Sequence, residues 1–177
     1  MHDIVIGYTG KYGTTQQIAE GIETELAAVA EQAADDRRRP LQILRAPIRE
    51  LSSAQLQQTR LVVLGGPIYA GRLPRVLRRF CERHRAQLLS REVALFITCL
   101  YQDEHARTQL MEAYPQWLFA HAAATAALGG RIELARLSAF DRLLIKRFAK
   151  VTEDLDRIDD RRITSFAGEL FATLKRD

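Results

Sequence analysis

The sequence predicts an α/β fold, a doubly wound parallel sheet of five strands with helices on both faces. Short apolar segments alternate with helical patterns five times along the 177 residues, which is typical of this class. Segment 61–65 is an uninterrupted apolar run, as expected for a strand that helices cover on both sides. Because such sheets bind ligands beyond the carboxyl ends of their strands, the informative loops follow strands one, three and four.

Each predicted strand is a short apolar run followed by glycine, proline or charged residues. Gly66 and Pro67 are expected to end the third strand, and Gly129 and Gly130 the fifth. A charged turn at 35–40 precedes the second strand. In chain order, we expect strands at 4–8, 41–44, 61–65, 93–98 and 125–128.

The predicted helices carry apolar residues at helical spacing, as Ile18, Ile22 and Leu26 do in the first one. Ser52 or Ser53 can cap a brief helical turn, and a proline near the first turn favours the start of the helix that precedes strand four. The longer helices are expected at about 15–34, 74–89, 104–121, 140–151 and 158–174.

Length and composition predict one globular domain over 1–177, with an elaboration at about 129–160. Apolar residues make up 47% and charged residues 27%, as in soluble proteins. We expect neither a membrane span nor a secretory signal, because no apolar window is long enough and no basic segment precedes one. Cys81 and Cys99 lack metal-ligand spacing and the four histidines are scattered, which predicts reduced thiols, no metal site and a cytoplasmic location.

The net charge of +4 comes mostly from arginine, which is clustered at 37–39, 72–85 and 142–150. A basic surface can meet nucleic acid, anionic lipid or an acidic small molecule. The chain has no basic stripe interleaved with aromatic residues and no helix-turn-helix or RNA-binding signature, so we expect no nucleic-acid partner. Most of these charges are explained as a solvated surface.

The loop after the first strand combines small, hydroxyl-bearing and glycine residues. Backbone amides and the positive end of the helix dipole converge there, which suits a phosphate dianion. The loop matches neither GxGxxG nor GxxxxGK[ST], which argues against a dinucleotide or a nucleoside triphosphate. In an alternative interpretation, Thr14 or Thr15 only caps the helix. The candidate phosphate ligands are Thr9, Gly10, Lys11, Tyr12, Gly13, Thr14 and Thr15.

Two further loops place aromatic residues at the same sheet edge. Tyr69 follows the third strand, where Gly71 can adopt a positive φ, and Tyr101 follows the fourth. A phosphate cradle beside two such loops makes a pocket for a planar heterocycle with a phosphate tail, and flavin mononucleotide (FMN) fits that description. Alternatively, either tyrosine is an ordinary half-buried surface residue. The candidate ring contacts are Pro67, Ile68, Tyr69, Ala70, Gly71, Thr98, Cys99, Leu100 and Tyr101.

The chain resembles the flavodoxin superfamily, and most of all the branch of flavodoxin-domain proteins that contains menaquinone-dependent protoporphyrinogen oxidase. Segment 8–15 matches the phosphate loop of that branch, and 66–71 matches its first isoalloxazine loop. Segment 137–147 is also similar, and simple electron-carrier flavodoxins lack it. Lys11 and Tyr12 replace the small hydroxyl and acidic residues that are typical of electron carriers, which argues against a carrier role.

This resemblance implies FMN bound without a covalent link, with its phosphate on the first loop and its ring between the other two. It also implies oxidation of protoporphyrinogen IX in haem biosynthesis, with electrons passing through FMN to a quinone. FMN itself carries the redox chemistry, so we assign no catalytic side chain. Arg72 and Arg75 are candidates for pairing with the propionates of a porphyrinogen.

Arginine follows the first ring loop at positions 72, 75, 78 and 79. Positive charge near the ring should favour the reduced anionic flavin and raise its potential, which suits an oxidase. Two alternatives remain: an electron-transfer protein that docks an acidic partner through its arginines, and a degenerate domain that binds no flavin.

The predicted helix at 140–151 has an apolar side and a basic side. A basic amphipathic helix can lie on an anionic membrane, here the inner face of the cell membrane, close to a quinone pool. It can equally pack on the core or contact a second copy in a homo-oligomer. The apolar side holds Phe140, Leu143, Leu144, Phe148 and Val151, and the basic side Arg142, Lys146, Arg147 and Lys150.

Overall fold

The computed structural model of the protein describes residues 2–33, 40–139, 141–143 and 152–175. Its main strands are β1 (His2–Tyr8), β2 (Ile43–Pro47), β3 (Thr59–Pro67), β4 (Glu92–Thr98) and β5 (Ala124–Ala127). They form one parallel sheet in the order β2-β1-β3-β4-β5. This topology confirms the predicted α/β fold class.

Helices cover both faces of this sheet. The described helices are α1 (Thr14–Gln32), α2 (Ser53–Gln57), α3 (Arg75–Arg83), α4 (Arg85–Leu89), α5 (Asp103–Ala113), α6 (Gln116–His121) and α7 (Asp160–Leu174). Within the described ranges, no helix combines the length and the apolar character that a membrane span requires.

Two hydrophobic cores lie on opposite faces of the sheet. Along β3, Leu61 and Val63 belong to the core under α1 and α7, whereas Val62 and Leu64 belong to the core under α2 to α6. All four side chains are fully buried. Because successive residues of the strand enter different cores, the strand is an uninterrupted apolar run, as predicted.

The register of the sheet brings three strand ends to one edge. Tyr8 pairs with Gly65, and Pro67 pairs with Thr98. Past these pairs, the Thr9 N–H donates to the Gly65 carbonyl at 3.1 Å, and the Ile68 N–H donates to the Thr98 carbonyl at 2.9 Å. The loops after β1, β3 and β4 therefore begin side by side.

Two predicted strand boundaries are wrong. The strand predicted at 41–44 lies at Ile43–Pro47. It is a half-buried edge strand whose position is set by pairing with β1, so its own apolar pattern is weak. Gly66 and Pro67 do not end the third strand but pair with β4. Both residues lie beyond the last pair between β1 and β3. Pro67 therefore faces no β1 residue that would require a hydrogen bond from its missing N–H.

Two helices that were predicted as continuous are broken. Segment 104–121 divides into α5 and α6 because Pro115 lacks an N–H, and Tyr114 before it is extended (φ −94°, ψ 156°). Segment 74–89 divides into α3 and α4 at His84, whose buried ring lies 4.5 Å from the Phe80 ring. Burial, together with the charge of Arg83, lowers the pKa of His84.

The region after β5 contains elements that sequence patterns did not predict. Two short strands, β6 (Arg131–Ile132) and β7 (Leu155–Asp156), pair antiparallel, and Arg131 bonds the Asp156 carboxylate at 2.6 and 2.8 Å. A 3₁₀ turn lies at Leu134–Arg136. Most of the helix predicted at 140–151 and the turn at 35–39 lie outside the described residues.

Replacing Gly65 by alanine should lower the free energy of unfolding by about 2–3 kcal/mol. A Cβ at this position would lie 1.9 Å from the Phe96 ring, so this buried ring or the two strands would have to move. Gly168→Ala is the matched control, because a Cβ there meets nothing within 4 Å. Since Gly168 lies inside α7, alanine should stabilise by about 0.5–1 kcal/mol. Urea unfolding measures the free energy of unfolding of both variants. Equal changes in Gly65→Ala and Gly168→Ala would contradict the close packing at Gly65.

Candidate functional site

The loop at 9–15 leads from β1 into α1 and leaves the start of the helix uncapped. Gly13, at φ 88°, is the N-cap residue, and no side chain of a described residue bonds the first-turn amides. The first turn also carries no acidic residue. Amides without an internal partner, at the positive end of a 19-residue helix, fit a phosphate dianion.

Neither threonine caps the helix, contrary to the alternative interpretation. Thr15 is buried, and its Oγ1 lies 3.3 Å from Oγ1 of Thr98. This contact joins the phosphate loop to the loop after β4, and one of the two hydroxyls remains able to donate elsewhere. Thr14 instead turns its hydroxyl to the Arg131 carbonyl at 3.3 Å. A Cβ on Gly10 would lie 3.1 Å from Thr15 Oγ1, so the loop passes close to this side chain.

The loop after β3 is a tight turn. The Tyr69 N–H donates to the Arg72 carbonyl at 2.9 Å, and the Arg72 N–H donates back at 3.1 Å. The predicted positive φ of Gly71 is confirmed at 76°, and Ala70 also has a positive φ of 48°. Positive φ at both central residues is the pattern of a type I′ turn. Ala70 therefore holds a conformation that glycine usually takes, and such strain often occurs in functional loops.

The ring of Tyr69 lies close to the backbone of Lys11 in the first loop. Partial burial raises the pKa of the Tyr69 hydroxyl. The side chain is still 45% exposed. A partly exposed aromatic face of this kind can stack on a planar ligand.

The loop after β4 is supported by residues that sequence reasoning missed. The buried Cys99 donates its N–H to the Gly129 carbonyl at 2.9 Å. A Cβ on Gly130 would lie 3.1 Å from the Cys99 carbonyl oxygen, so the chain after β5 packs closely here. Tyr101 is 50% exposed, and its ring stacks with that of His105 at 6.0 Å. Burial raises the pKa of the Cys99 thiol, which therefore stays protonated.

Lys11 and Tyr12 contact Asp141, a site residue that sequence reasoning also missed. Lys11 Nζ lies 2.5 Å from Asp141 Oδ2, and the Tyr12 hydroxyl donates to the same oxygen. These two hydrogen bonds and one from Ser138 lower the pKa of Asp141 to about 2. The positions are 130 residues apart, so no local pattern could reveal the pair.

Arg72 and Arg75 are exposed beside the turn of Tyr69. Among the described residues, no carboxylate forms an ion pair with either of them or with Arg79. Their charges are therefore available to a ligand or partner. The described residues also contain no cluster of His, Cys, Asp or Glu that could hold a metal ion.

The chain belongs to the flavodoxin domain family, whose family model matches residues 5–159. No curated protein sequence matches it significantly. Solved structures with a similar fold include an oxidoreductase from Corynebacterium diphtheriae (14% identity, TM-score 0.63, covering 100% of this chain and 98% of that one). Others are a flavodoxin from Streptococcus pneumoniae (13%, 0.56, covering 96% and 97%) and an NADH:FMN oxidoreductase in apo form (12%, 0.57, covering 99% and 90%).

Family membership supports FMN as the cofactor, and the residues at the sheet edge fit it. The uncapped amides of α1 and the paired hydroxyls of Thr15 and Thr98 suit the phosphate. Tyr69 and Tyr101 offer aromatic faces for the ring. The individual roles of the predicted site residues stay predictions.

Thr15→Val should weaken FMN binding about tenfold, because a hydrogen bond to a charged group contributes roughly 1.5 kcal/mol. Thr14→Val should have a smaller effect, since that hydroxyl is already engaged by the Arg131 carbonyl. Quenching of FMN fluorescence on titration measures both affinities. Thr164→Val is the control, because its hydroxyl bonds only the Asp160 carbonyl within α7. Unchanged affinity in Thr15→Val would refute the proposed cradle.

Proposed function

We propose that this protein is an FMN-dependent oxidoreductase that oxidises a porphyrinogen and passes the electrons to a quinone. Two parts of the chain that resemble the protoporphyrinogen oxidase branch meet in the structure, and this observation carries the proposal. Ser138 and Asp141, from segment 137–147 (the late segment), bond Lys11 and Tyr12 of the phosphate loop. The names of two structural neighbours, an oxidoreductase and an NADH:FMN oxidoreductase, agree with general FMN-linked redox chemistry.

When bound, FMN would supply the two-electron redox chemistry between the substrate and the quinone. The protein then has to bind FMN and the substrate and to orient them. Thr15 and the first-turn amides of α1 would hold the phosphate, and Tyr69 and Tyr101 would contact the ring. Burial keeps the Cys99 thiol protonated at neutral pH, so this side chain is not a general base.

Arg72 and Arg75 are the proposed contacts for the substrate. Both guanidinium groups are exposed, free of described carboxylates and close in sequence to the turn of Tyr69. Guanidinium groups pair with carboxylates through two parallel hydrogen bonds, and the propionates of a porphyrinogen supply such carboxylates.

The quinone acceptor is lipophilic, so we also propose a cytoplasmic protein with peripheral contact to the inner face of the cell membrane through 140–151. Leu143, the apolar residue of that segment with described placement, is 64% exposed. An exposed leucine in this place can contact lipid or a second copy of the chain.

Porphyrin fluorescence tests the enzyme proposal. The FMN-loaded protein, given reduced tetrapyrrole and menaquinone, should raise fluorescence above a protein-free control. Arg72→Glu with Arg75→Glu should raise the KM at least tenfold and change kcat little, because the lost ion pairs act mainly in binding. Arg161→Glu with Arg107→Glu applies the same change of charge to exposed arginines elsewhere and should leave the KM unchanged. Fluorescence that stays at the level of the control would rule out the porphyrinogen.

A second candidate is an electron-transfer protein with an acidic partner, and a row of arginines on α3 favours it. Arg75, Arg79 and Arg83 are exposed and four residues apart, so they lie along one side of the helix. If so, electron exchange between FMN-loaded protein and an acidic [2Fe–2S] ferredoxin should slow several-fold with added salt and in Arg79→Glu, but not in Arg161→Glu. Electron-exchange rates that are unchanged by salt and by Arg79→Glu would contradict the electron-transfer function.

A further inference from the structure

One carboxylate oxygen gathers three side-chain donors where the late segment meets the phosphate loop. Asp141 Oδ2 accepts from Lys11 Nζ at 2.5 Å, from Ser138 Oγ at 2.9 Å and from the Tyr12 hydroxyl. The Tyr12 hydroxyl in turn accepts from the Ser138 N–H at 3.3 Å. Two of the donors belong to the phosphate loop and one to the late segment, so Asp141 joins the two parts of the chain.

The region after β5 contacts α1 at a second place, through Arg131 of β6. Thr14 Oγ1 bonds the Arg131 carbonyl at 3.3 Å, and Arg131 Nη1 bonds Gln17 Oε1 at 3.0 Å. The Arg131 guanidinium is fixed from the other side by Asp156. This second contact involves the first turns of α1. The side chains of Lys11 and Tyr12 instead bond Asp141, and the Tyr12 hydroxyl also accepts from the Ser138 N–H.

The middle of the phosphate loop needs such a support. Lys11 and Tyr12 lie between Gly10 and Gly13, and glycine has the largest backbone freedom to lose when a loop is ordered. Gly13 has a positive φ, and a Cβ there would meet nothing within 4 Å, so packing does not hold it. A loop that is already fixed in its binding conformation pays less of this entropy when a ligand arrives.

We propose that Asp141 is a positioning residue that holds the phosphate loop ready for FMN through Lys11 and Tyr12. It thereby couples FMN binding to the docking of 134–139 and Asp141 on that loop. The coupling is reciprocal, because a contact that favours FMN binding is itself favoured by bound FMN to the same extent. This inference rests on FMN binding, which is part of the proposed function.

The contrary arrangement makes a distinct prediction. If Lys11 paired directly with the FMN phosphate, Asp141 would compete for it, and removal of the Asp141 charge would strengthen binding. With Asp141 as the support of the loop, the same change weakens binding.

Asp141→Asn keeps the shape of the side chain and removes its charge. We expect the Kd for FMN to rise five- to tenfold, at the lower end of typical coupling between sites. Asp156→Asn is the matched control, because it removes the aspartate–arginine pair between β6 and β7 but touches neither Lys11 nor Tyr12. The Kd of this variant for FMN should stay within twofold of native. Lys11→Met combined with Asp141→Asn should cost no more than either change alone, as expected for residues that act as one unit.

Hydrogen exchange of the amides at 134–139 gives the reciprocal readout, with and without FMN. In the native protein, FMN should slow this exchange by the same five- to tenfold, and in Asp141→Asn the effect should vanish. A purely structural role would change exchange equally in both states. Native protein that binds no FMN would overturn both this inference and the proposed function. Native protein that binds FMN, beside an Asp141→Asn variant of equal or higher affinity, would overturn the inference alone.

Discussion

The candidate site depends on how closely β3 can approach its neighbours at the carboxyl end. Gly65 lies against the ring of Phe96, and a Cβ on Gly66 would lie 2.8 Å from Leu77 and 3.2 Å from the Thr9 methyl group. The absence of side chains at these two positions lets β4, α3 and the phosphate loop meet at one strand end. The alignment of the three loops is therefore a consequence of packing, and the ligand chemistry is built on it.

The N-terminus of α1 differs from those of α2 and α7 in how it is capped. α2 begins with a capping box at Ser52, and α7 begins with the side chain of Asp159 bonded to the Arg162 N–H. α1 is the longest helix described, yet it begins at Gly13 without a side-chain cap. A cap typically stabilises a helix by about 1 kcal/mol. Because α1 lacks a side-chain cap, its first-turn amides are free to bind an anion such as the phosphate of a cofactor.

The central strands and the three loops could be predicted from the sequence because the patterns that indicate them are local. Segment 61–65 is apolar without interruption, and glycine follows it directly. The breaks at Pro115 and His84 were missed because helical periodicity continues across them. β6 and β7 have two residues each, too few for any period. Asp141 could not be found because its partners lie 130 residues away. Contacts that tertiary structure creates stay invisible to local patterns.

The ion pair between Lys11 and Asp141 also affects the distribution of positive charge in the site. At the phosphate end, the ammonium is balanced by a carboxylate, which leaves the uncapped amides to bind the phosphate. At the ring end, Arg72 and Arg75 have no described carboxylate partner, and Arg157 places Nη1 2.7 Å from the Leu100 carbonyl. These arginines therefore add positive charge on the ring side. Positive charge in this place would favour the reduced, anionic form of a bound flavin and so raise its potential.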